Sequence, residues 1–314
     1  MRLGHFDLNL FVTLDALLET QSISRAAERL HLGASATSSA LGRLREHFGD
    51  ELLVQVGRRM ELTPLAQALR EPVRDLLLRA QATLAAQSDF DPARAERHFV
   101  INASDYAATV LLAPLAQALE SEAPGISLDI VSLGNRNLEQ LERGEVDFGI
   151  YPERNASPDH PRLDLLEETY TCVVWTGHHL GPRGLDWDHY LQARHVAAQF
   201  GDQRVSTFES WFFATHGVVR KVVVTASSFN TLPTLVVGTQ RIATVHTRLA
   251  RMYSRMLPVR LLPVPFDIPP LKLVVQWNRH NALDAAHTWF RQRLAQMAAE
   301  LGGSGAEDAV FARG

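Results

Sequence analysis

Apolar positions recur at helical spacing along the first 87 residues. Leu8, Phe11, Leu14, Leu17 and Leu18 form one stripe, as one face of a helix requires. Ser22 and Ser24 offer N-caps for a second helix through Leu30. His31-Leu32-Gly33 breaks the pattern before a third helix from Ala34 to Phe48. Two β-like runs follow, Leu52–Val56 and Met60–Leu62, joined by Gly57-Arg58-Arg59. A long helical pattern then covers 63–87, with Thr63 as N-cap and Pro64 at the first helical position, where a missing N–H costs nothing. Its stripe is Leu65, Leu69, Val73, Leu76, Ala80 and Leu84, and Pro72 inside it predicts a kink. Ser88–Arg97, with Asp91-Pro92, reads as a linker.

Beyond His98 the period changes. Short apolar runs at Phe99–Ala103, Ile126–Val131, Val146–Ile150, Cys172–Trp175, Val222–Thr225, Ile242–Val245 and Leu273–Trp277 alternate with helical stretches, the last from Asp284 to Leu301. This alternation predicts α/β layers on mostly parallel sheet. The Gly-, Ala- and Ser-rich stretch 302–314 predicts a disordered tail.

Composition narrows the function classes. The content of 46% apolar and 21% charged residues is that of a soluble globular protein. A single cysteine, Cys172, leaves no internal disulfide and no cysteine-rich zinc site. It suits a reducing cytoplasm, the predicted location. No apolar run is long enough to span a membrane, and Asp7 and Asn9 interrupt any leader-like core. The net charge of −4 does not advertise nucleic-acid binding.

The segment 23–42 nevertheless has the form of a helix-turn-helix: a brace helix with Ala26, Ala27 and Leu30, a tight turn, then a helix holding Thr37, Leu41, Leu44 and Phe48 inward. Its outward face carries Ala34, Ser35, Ser38, Ser39, Gly42 and Arg43, mostly small, so the helix can approach base edges closely. Arg45, Arg58 and Arg59 are candidate phosphate contacts from the helix end and the wing. Residues 1–62 hold seven arginines against eight acids, a balance of −1 that speaks for a helical subdomain without DNA. The distribution answers it: Asp7, Asp15 and Glu19 lie on the first helix, whereas Arg43, Arg58 and Arg59 gather near the proposed DNA face.

Three runs carry a family resemblance: LNLFVTLDALLETQSISRAAERLHL at 8–32, SSALGRLREHFGDELLV at 38–54 and LTPLAQALREPV at 62–73. They resemble the N-terminus of LysR-type transcriptional regulators. Near the other end, WNRHNALDAAHTWFRQRL at 277–294 resembles a signature of the nodulation and aromatic-degradation branch. The resemblance covers residues 6–300. It implies a winged helix-turn-helix at 6–63, a linker helix at 64–87 that dimerises, a hinge at 88–97, and an α/β effector-binding domain at 98–301 resembling type 2 periplasmic binding proteins. In that domain, subdomain I would comprise 98–163 and 268–301, and subdomain II 164–267. The implied partners are double-stranded DNA with an interrupted palindromic operator, a small effector and a second copy of the chain in a homodimer or homotetramer, with RNA polymerase as a further partner. The branch implies activation by a small aromatic or acidic compound. Departures are visible. Where the family's recognition helix usually opens Ser-Gln-Pro-Ala-Val-Ser, this chain has Gly33-Ala34-Ser35-Ala36-Thr37-Ser38; Glu51 replaces a usual proline and Gln55 a usual arginine.

Open α/β sheets bind ligands at the carboxyl ends of their strands. Candidate effector contacts there are Ser104 and Asp105, Tyr151, Gln199 and Phe200, Phe229, Asn230 and Thr231, and His246. Ser104 and Asp105 compete with a helix-cap reading, Phe200 and Phe229 with a core reading, and Trp277, His287 and Trp289 read as packing residues. The rival class is an enzyme on a periplasmic-binding-protein-like fold with an accessory N-terminal domain. No G-x-S-x-G, H-E-x-x-H or phosphate-binding glycine loop supports it. His178-His179 lacks a spaced partner and reads as a surface loop. The pattern calls for no catalytic residues, cofactor or metal.

Overall fold

The computed structural model describes residues 6–85, 90–180, 184–200 and 205–303. The chain divides into two compact units, Met1–Ala86 and Gln87–Gly314. The end of the predicted linker helix and the start of the predicted hinge, 86–89, lie outside the described residues, as do 304–314 of the predicted tail; Gly302 and Gly303 close the last helix.

The first unit contains α1 (Asn9–Thr20), α2 (Ile23–Arg29), α3 (Ala34–Phe48), β1 (Leu53–Val56), β2 (Arg59–Leu62) and α4 (Pro64–Ala85). Each break has a local cause. Ser22 accepts a hydrogen bond from the Arg25 amide and caps α2. Gly33 opens α3 without a side-chain cap, and Gly49, at φ +62°, ends it in the left-handed conformation that glycine adopts without strain. β1 and β2 pair antiparallel, with Leu53 opposite Leu62 and Val56 opposite Arg59, so the wing turns at Gly57-Arg58 and Arg59 belongs to a strand. Leu14, Leu17, Leu41, Leu44, Leu52 and Leu53 form the core, joined by Ala66 and Val73 of α4. Thr63 accepts from the Ala66 amide at 3.1 Å and caps α4. The Arg74 guanidinium meets Asp15 at 2.6 Å, tying α4 to α1. α4 continues through Pro72 as one helix.

The second unit has two lobes. It comprises β3 (Arg97–Ala103), α5 (Asp105–Ala107), a π-helical turn (Ala108–Leu112), α6 (Ala113–Glu122), β4 (Ile126–Ser132), α7 (Asn137–Glu142), β5 (Phe148–Pro152), β6 (Arg162–Glu168), β7 (Tyr170–Trp175), α8 (Trp187–Gln192), β8 (Arg194–Phe200), β9 (Val205–Ser206), α9 (Phe208–Thr215), β10 (Lys221–Ala226), α10 (Leu232–Val236), β11 (Arg241–His246), α11 (Thr247–Ser254), β12 (Val259–Pro263), β13 (Leu271–Trp277) and α12 (Ala285–Gly303). The first lobe's sheet runs β4-β3-β5-β13-β6 and the second's β10-β8-β11-β7-β12, with β9 on β8. β3 lies parallel to β4 and β5, and β8 parallel to β10 and β11; β13 is antiparallel to β5 and β6, and β7 to β11 and β12. The sheets are therefore mixed, which corrects the mostly parallel expectation. β6 pairs with β13, so the first lobe extends to Glu168 and the chain crosses at Thr169. This corrects the predicted boundary at 163/164.

The first lobe closes around Phe99, Phe148 and Phe290, whose ring centroids lie 4.6–5.6 Å apart. His287 packs on Phe148 and meets Asp147 at 3.0 Å, Trp277 lies under the Arg291 guanidinium, and Trp289 packs on Phe90. His178 is buried, accepts from the Leu180 amide through Nδ1 and stacks on His179, which departs from a pure surface loop. No helix among the described residues is long and apolar enough to cross a membrane.

Candidate functional site

Two surfaces carry the candidate chemistry, one on each unit. On the first, α3 buries Thr37, Leu41 and Leu44 and presents Ala34, Ser35, Ser38, Ser39, Gly42 and Arg43 to solvent. Arg58 and Arg59 are exposed on the wing. Arg43 lies 3.4 Å from Asp7, with its side chain 56% exposed, so it keeps reach. Arg45 is different. Its Nε donates to the Glu51 carbonyl at 2.8 Å and its Nη2 to the Leu53 carbonyl at 2.9 Å. The guanidinium holds the wing strand to α3 and so positions the surface, correcting the expectation of a dedicated phosphate contact. Arg25 and Arg29 are likewise committed, to the Thr20 carbonyl and to Glu19.

Gly42 sits mid-helix, and a Cβ there would meet nothing within 4 Å. Glycine in a helix interior costs about 1 kcal/mol relative to alanine, and no internal contact explains it. Approach of α3 to a groove, as proposed for its exposed face, would make use of the missing side chain. Gly42→Ala should therefore raise stability by about 1 kcal/mol while weakening duplex binding about tenfold. Paired melting and duplex titrations test this; unchanged binding would show that α3 does not approach the groove at Gly42.

On the second unit, a cavity of about 130 Å³ opens between the lobes. Aromatic rings form its wall. Tyr106 stacks on His246 with centroids 4.1 Å apart, Phe229 meets the same imidazole edge-on at 4.6 Å, and Phe200 lies 4.9 Å from Phe229. Tyr170 lies 5.3 Å from His246. Polar groups converge from Ser104, Asn135, Asn137, Asn155 and Thr207. Burial pushes the His246 imidazole down to about 3 and keeps it neutral. Burial also raises the Tyr106 and Tyr170 phenols. Arg154, whose guanidinium lies over the Trp211 ring at 4.4 Å, is the one permanently charged side chain among the described lining residues. A neutral aromatic slot with a single cation suits a planar molecule carrying an acidic or hydrogen-bond-accepting group.

Of the nine residues expected from strand ends, Ser104, Phe200, Phe229 and His246 line this cavity. Ser104 also caps α5, accepting from the Ala107 amide, so both readings hold. Asp105 and Asn230 do not line it; they clasp the lobes together. Asp105 accepts from the Ser228 hydroxyl at 2.7 Å and the Asn230 amide at 2.9 Å, while the Asn230 side chain donates to the Asp105 carbonyl and to Thr109. Thr231 braces the clasp by donating to Ser228. Gln199 pairs with Ser206 at a strand edge. Tyr151 is buried on the opposite face of β5 from Ile150 and Pro152, which line the cavity, because successive strand residues alternate. Its ring fills the space over Gly149 and its hydroxyl donates to the Asn137 carbonyl. Tyr106, Asn135, Asn137, Arg154 and Tyr170 were not anticipated. Asn135 and Asn137 follow β4 and Arg154 follows β5, so the strand-end rule that found Ser104 reaches them too.

Residues 8–67 match the family of bacterial regulatory helix-turn-helix proteins of lysR type, and 92–299 match the LysR substrate binding domain. Nodulation protein D 1 of Mesorhizobium japonicum is 37% identical over 96% of this chain and 96% of its own length. A probable transcriptional regulator of Pseudomonas aeruginosa superposes with a TM-score of 0.63 at 30% identity, over 93% of this chain and 97% of that one. The regulatory domain of MexT, a transcriptional activator in Pseudomonas aeruginosa, gives 0.57 at 26% identity, over 65% of this chain and all of that one.

Proposed function

Because the chain belongs to the LysR family of bacterial transcriptional regulators, we propose that it activates transcription from an interrupted palindromic operator when a small aromatic compound with an acidic or acceptor group enters the inter-lobe cleft. The protein is a DNA-binding transcription regulator with an effector-binding domain, not an enzyme. The enzyme reading loses its support, since its relatives are regulators along the whole chain.

The aromatic box of Tyr106, His246, Phe229 and Phe200, with Arg154 at its polar side, carries the effector assignment. Tyr106 comes from the first lobe and His246 from the second, so an occupant touches both. A ligand that favours one lobe arrangement shifts the population toward it, and only that difference can regulate. Activation is supported by the description of MexT. Docking of two first units on two half-sites requires a symmetric assembly, which we assign to α4, with a tetramer as two such pairs. Contact with RNA polymerase and a cytoplasmic location complete the proposal.

The test begins with the duplex that the protein captures from its host's genomic DNA. A panel of aromatic acids and phenols is then scored for change in that complex. A ligand held at about a hundred times its dissociation constant should stabilise the protein by about 2.7 kcal/mol. Phe200→Ala should lose most of that stabilisation. Hits that stabilise wild type and Phe200→Ala equally would place the effector elsewhere.

A further inference from the structure

The residues between α3 and β1 are held from three sides. Leu52 lies at φ +59°, in the left-handed region, although its side chain is buried in the core. There a Cβ crowds the backbone carbonyl, so a leucine stays only where its surroundings enforce it. Its amide donates to Asp50 Oδ1 at 2.6 Å, and its carbonyl accepts from the Thr63 amide at 3.1 Å. On either side, the Glu51 and Leu53 carbonyls accept from Arg45. Glu51 stands where the family usually has proline, whose ring would stiffen the chain by itself; here side-chain anchors do so. Asp50 has a second partner. The same Oδ1 accepts from the Thr63 hydroxyl at 2.6 Å, and that hydroxyl accepts from the Ala66 amide to cap α4. One carboxylate oxygen thus joins the root of the wing to the first turn of α4, while Arg45 joins it to α3.

We propose that Asp50 is a positioning residue of the DNA-binding surface: it locks the root of the wing to α4 and so aims Arg58 and Arg59 at the duplex backbone. The proposal rests on the reading of the wing as a phosphate contact. β1 and β2 have four residues each and pair only with one another. A two-stranded ribbon of that size is marginal by itself, so its root decides where its tip points. Arg58 and Arg59 are exposed at that tip, beyond the junction. A carboxylate gains nothing from a phosphate. Removing the Asp50 charge would by itself favour DNA, so a loss of binding on its removal must pass through the wing.

The test is fluorescence anisotropy of the full-length protein with a random-sequence duplex, over a series of salt concentrations. Replacing Arg58 and Arg59 together with alanine should lower the slope of log affinity against log salt by about two, one for each phosphate contact. Asp50→Ala should lower the slope by a similar amount and weaken binding about tenfold or more. In that background the arginine replacements should add little, the mark of residues that act through one another. Asp50→Asn keeps the acceptor oxygen and loses the charge, so it should bind at least as well as wild type. Thr63→Val severs the link to α4 while leaving Asp50 on the Leu52 amide. It should lower the slope in the same way, and it decides the matter if Asp50→Ala does not fold. Lost stability alone lowers the melting temperature and leaves the slope of the folded protein as it was. A wild-type slope in either folded variant, or arginine losses that add in full to it, would overturn the proposal. So would an Asp50→Asn protein that binds as weakly as Asp50→Ala. A wild-type slope in the double arginine variant would instead take the wing off the duplex, and the reading beneath the proposal with it.

Discussion

Leu76→Asp should convert the protein to a monomer and reduce its affinity for a two-half-site operator by several orders of magnitude, while leaving the first unit folded. The apolar residues of α4 meet two environments. Ala66, Leu69, Val73 and Leu77 pack on the core of their own unit. Leu65, Leu76 and Leu84 are exposed, at 37%, 42% and 81%, and with Pro72 and Ala80 they are the apolar part of the helix that the core leaves uncovered. A long helix exposing such a face needs a partner for it, and a second copy about a two-fold axis presents the same face in return. An aspartate at the seam would be buried without a partner, at a cost of several kcal/mol. The monomer would then hold one half-site at a time and lose the effective-concentration gain of the second, worth about 10²–10⁴. Leu69→Asp is the informative contrast. It places the charge in the unit's own core, so it should unfold the unit. Light scattering and operator titration distinguish the two. A Leu76→Asp protein that stays oligomeric with normal operator affinity would remove α4 from the interface.

The same helix shows what a linear pattern can and cannot reveal. The predicted stripe from Leu65 to Leu84 is apolar at every position, yet the fold divides it between an internal core and a free face. A 3.6-residue period identifies an apolar side of a helix but not which neighbour covers each part. The first unit was largely legible because its helices are amphipathic, and α3 faces as its period requires. Arg45 was misread because its partners, the Glu51 and Leu53 carbonyls, are fixed only when the wing folds back. In the second unit, β6 reads Arg-Leu-Asp-Leu-Leu-Glu-Glu, too charged to announce a strand, and it pairs along the edge of its sheet. Missing it hid both the lobe boundary and the antiparallel return. Strand-end reasoning found Ser104, Phe200, Phe229 and His246, since topology delivers those ends to one cleft. It failed at Tyr151, where a one-residue change of pleat sends the side chain away, and at Asp105, whose partners lie 123 and 125 residues along the chain.

The second unit should lose stability steeply as pH falls below about 6.5, and His246→Phe should remove one proton's share of that loss. His246 is 2% exposed, stacked on Tyr106, and burial holds it near 3. His195 is fully buried, and burial lowers it to about 4, partly offset by its hydrogen bond to the Tyr190 carbonyl. In the unfolded chain both return to about 6.5. The unfolded state thus binds more protons wherever pH lies between those values, and stability rises with pH across that window. The contribution is fully present above about 6.5 and is lost as pH falls through the window. By pH 5 each histidine should account for about 2 kcal/mol of lost stability, since one pKa unit corresponds to about 1.4 kcal/mol. His160 and His178, also lowered chiefly by burial, act in the same direction. The difference between wild type and variant isolates His246. Urea unfolding of the second unit at a series of pH values should show the stability-against-pH slope shallower in His246→Phe by about 1.4 kcal/mol per pH unit between pH 4 and 6. The phenyl ring keeps the stack on Tyr106 and the edge contact with Phe229, so the variant should match or exceed wild type at acid pH. If the two slopes coincide, His246 accepts its proton within the folded cleft, and the neutral aromatic box assigned to the effector is wrong.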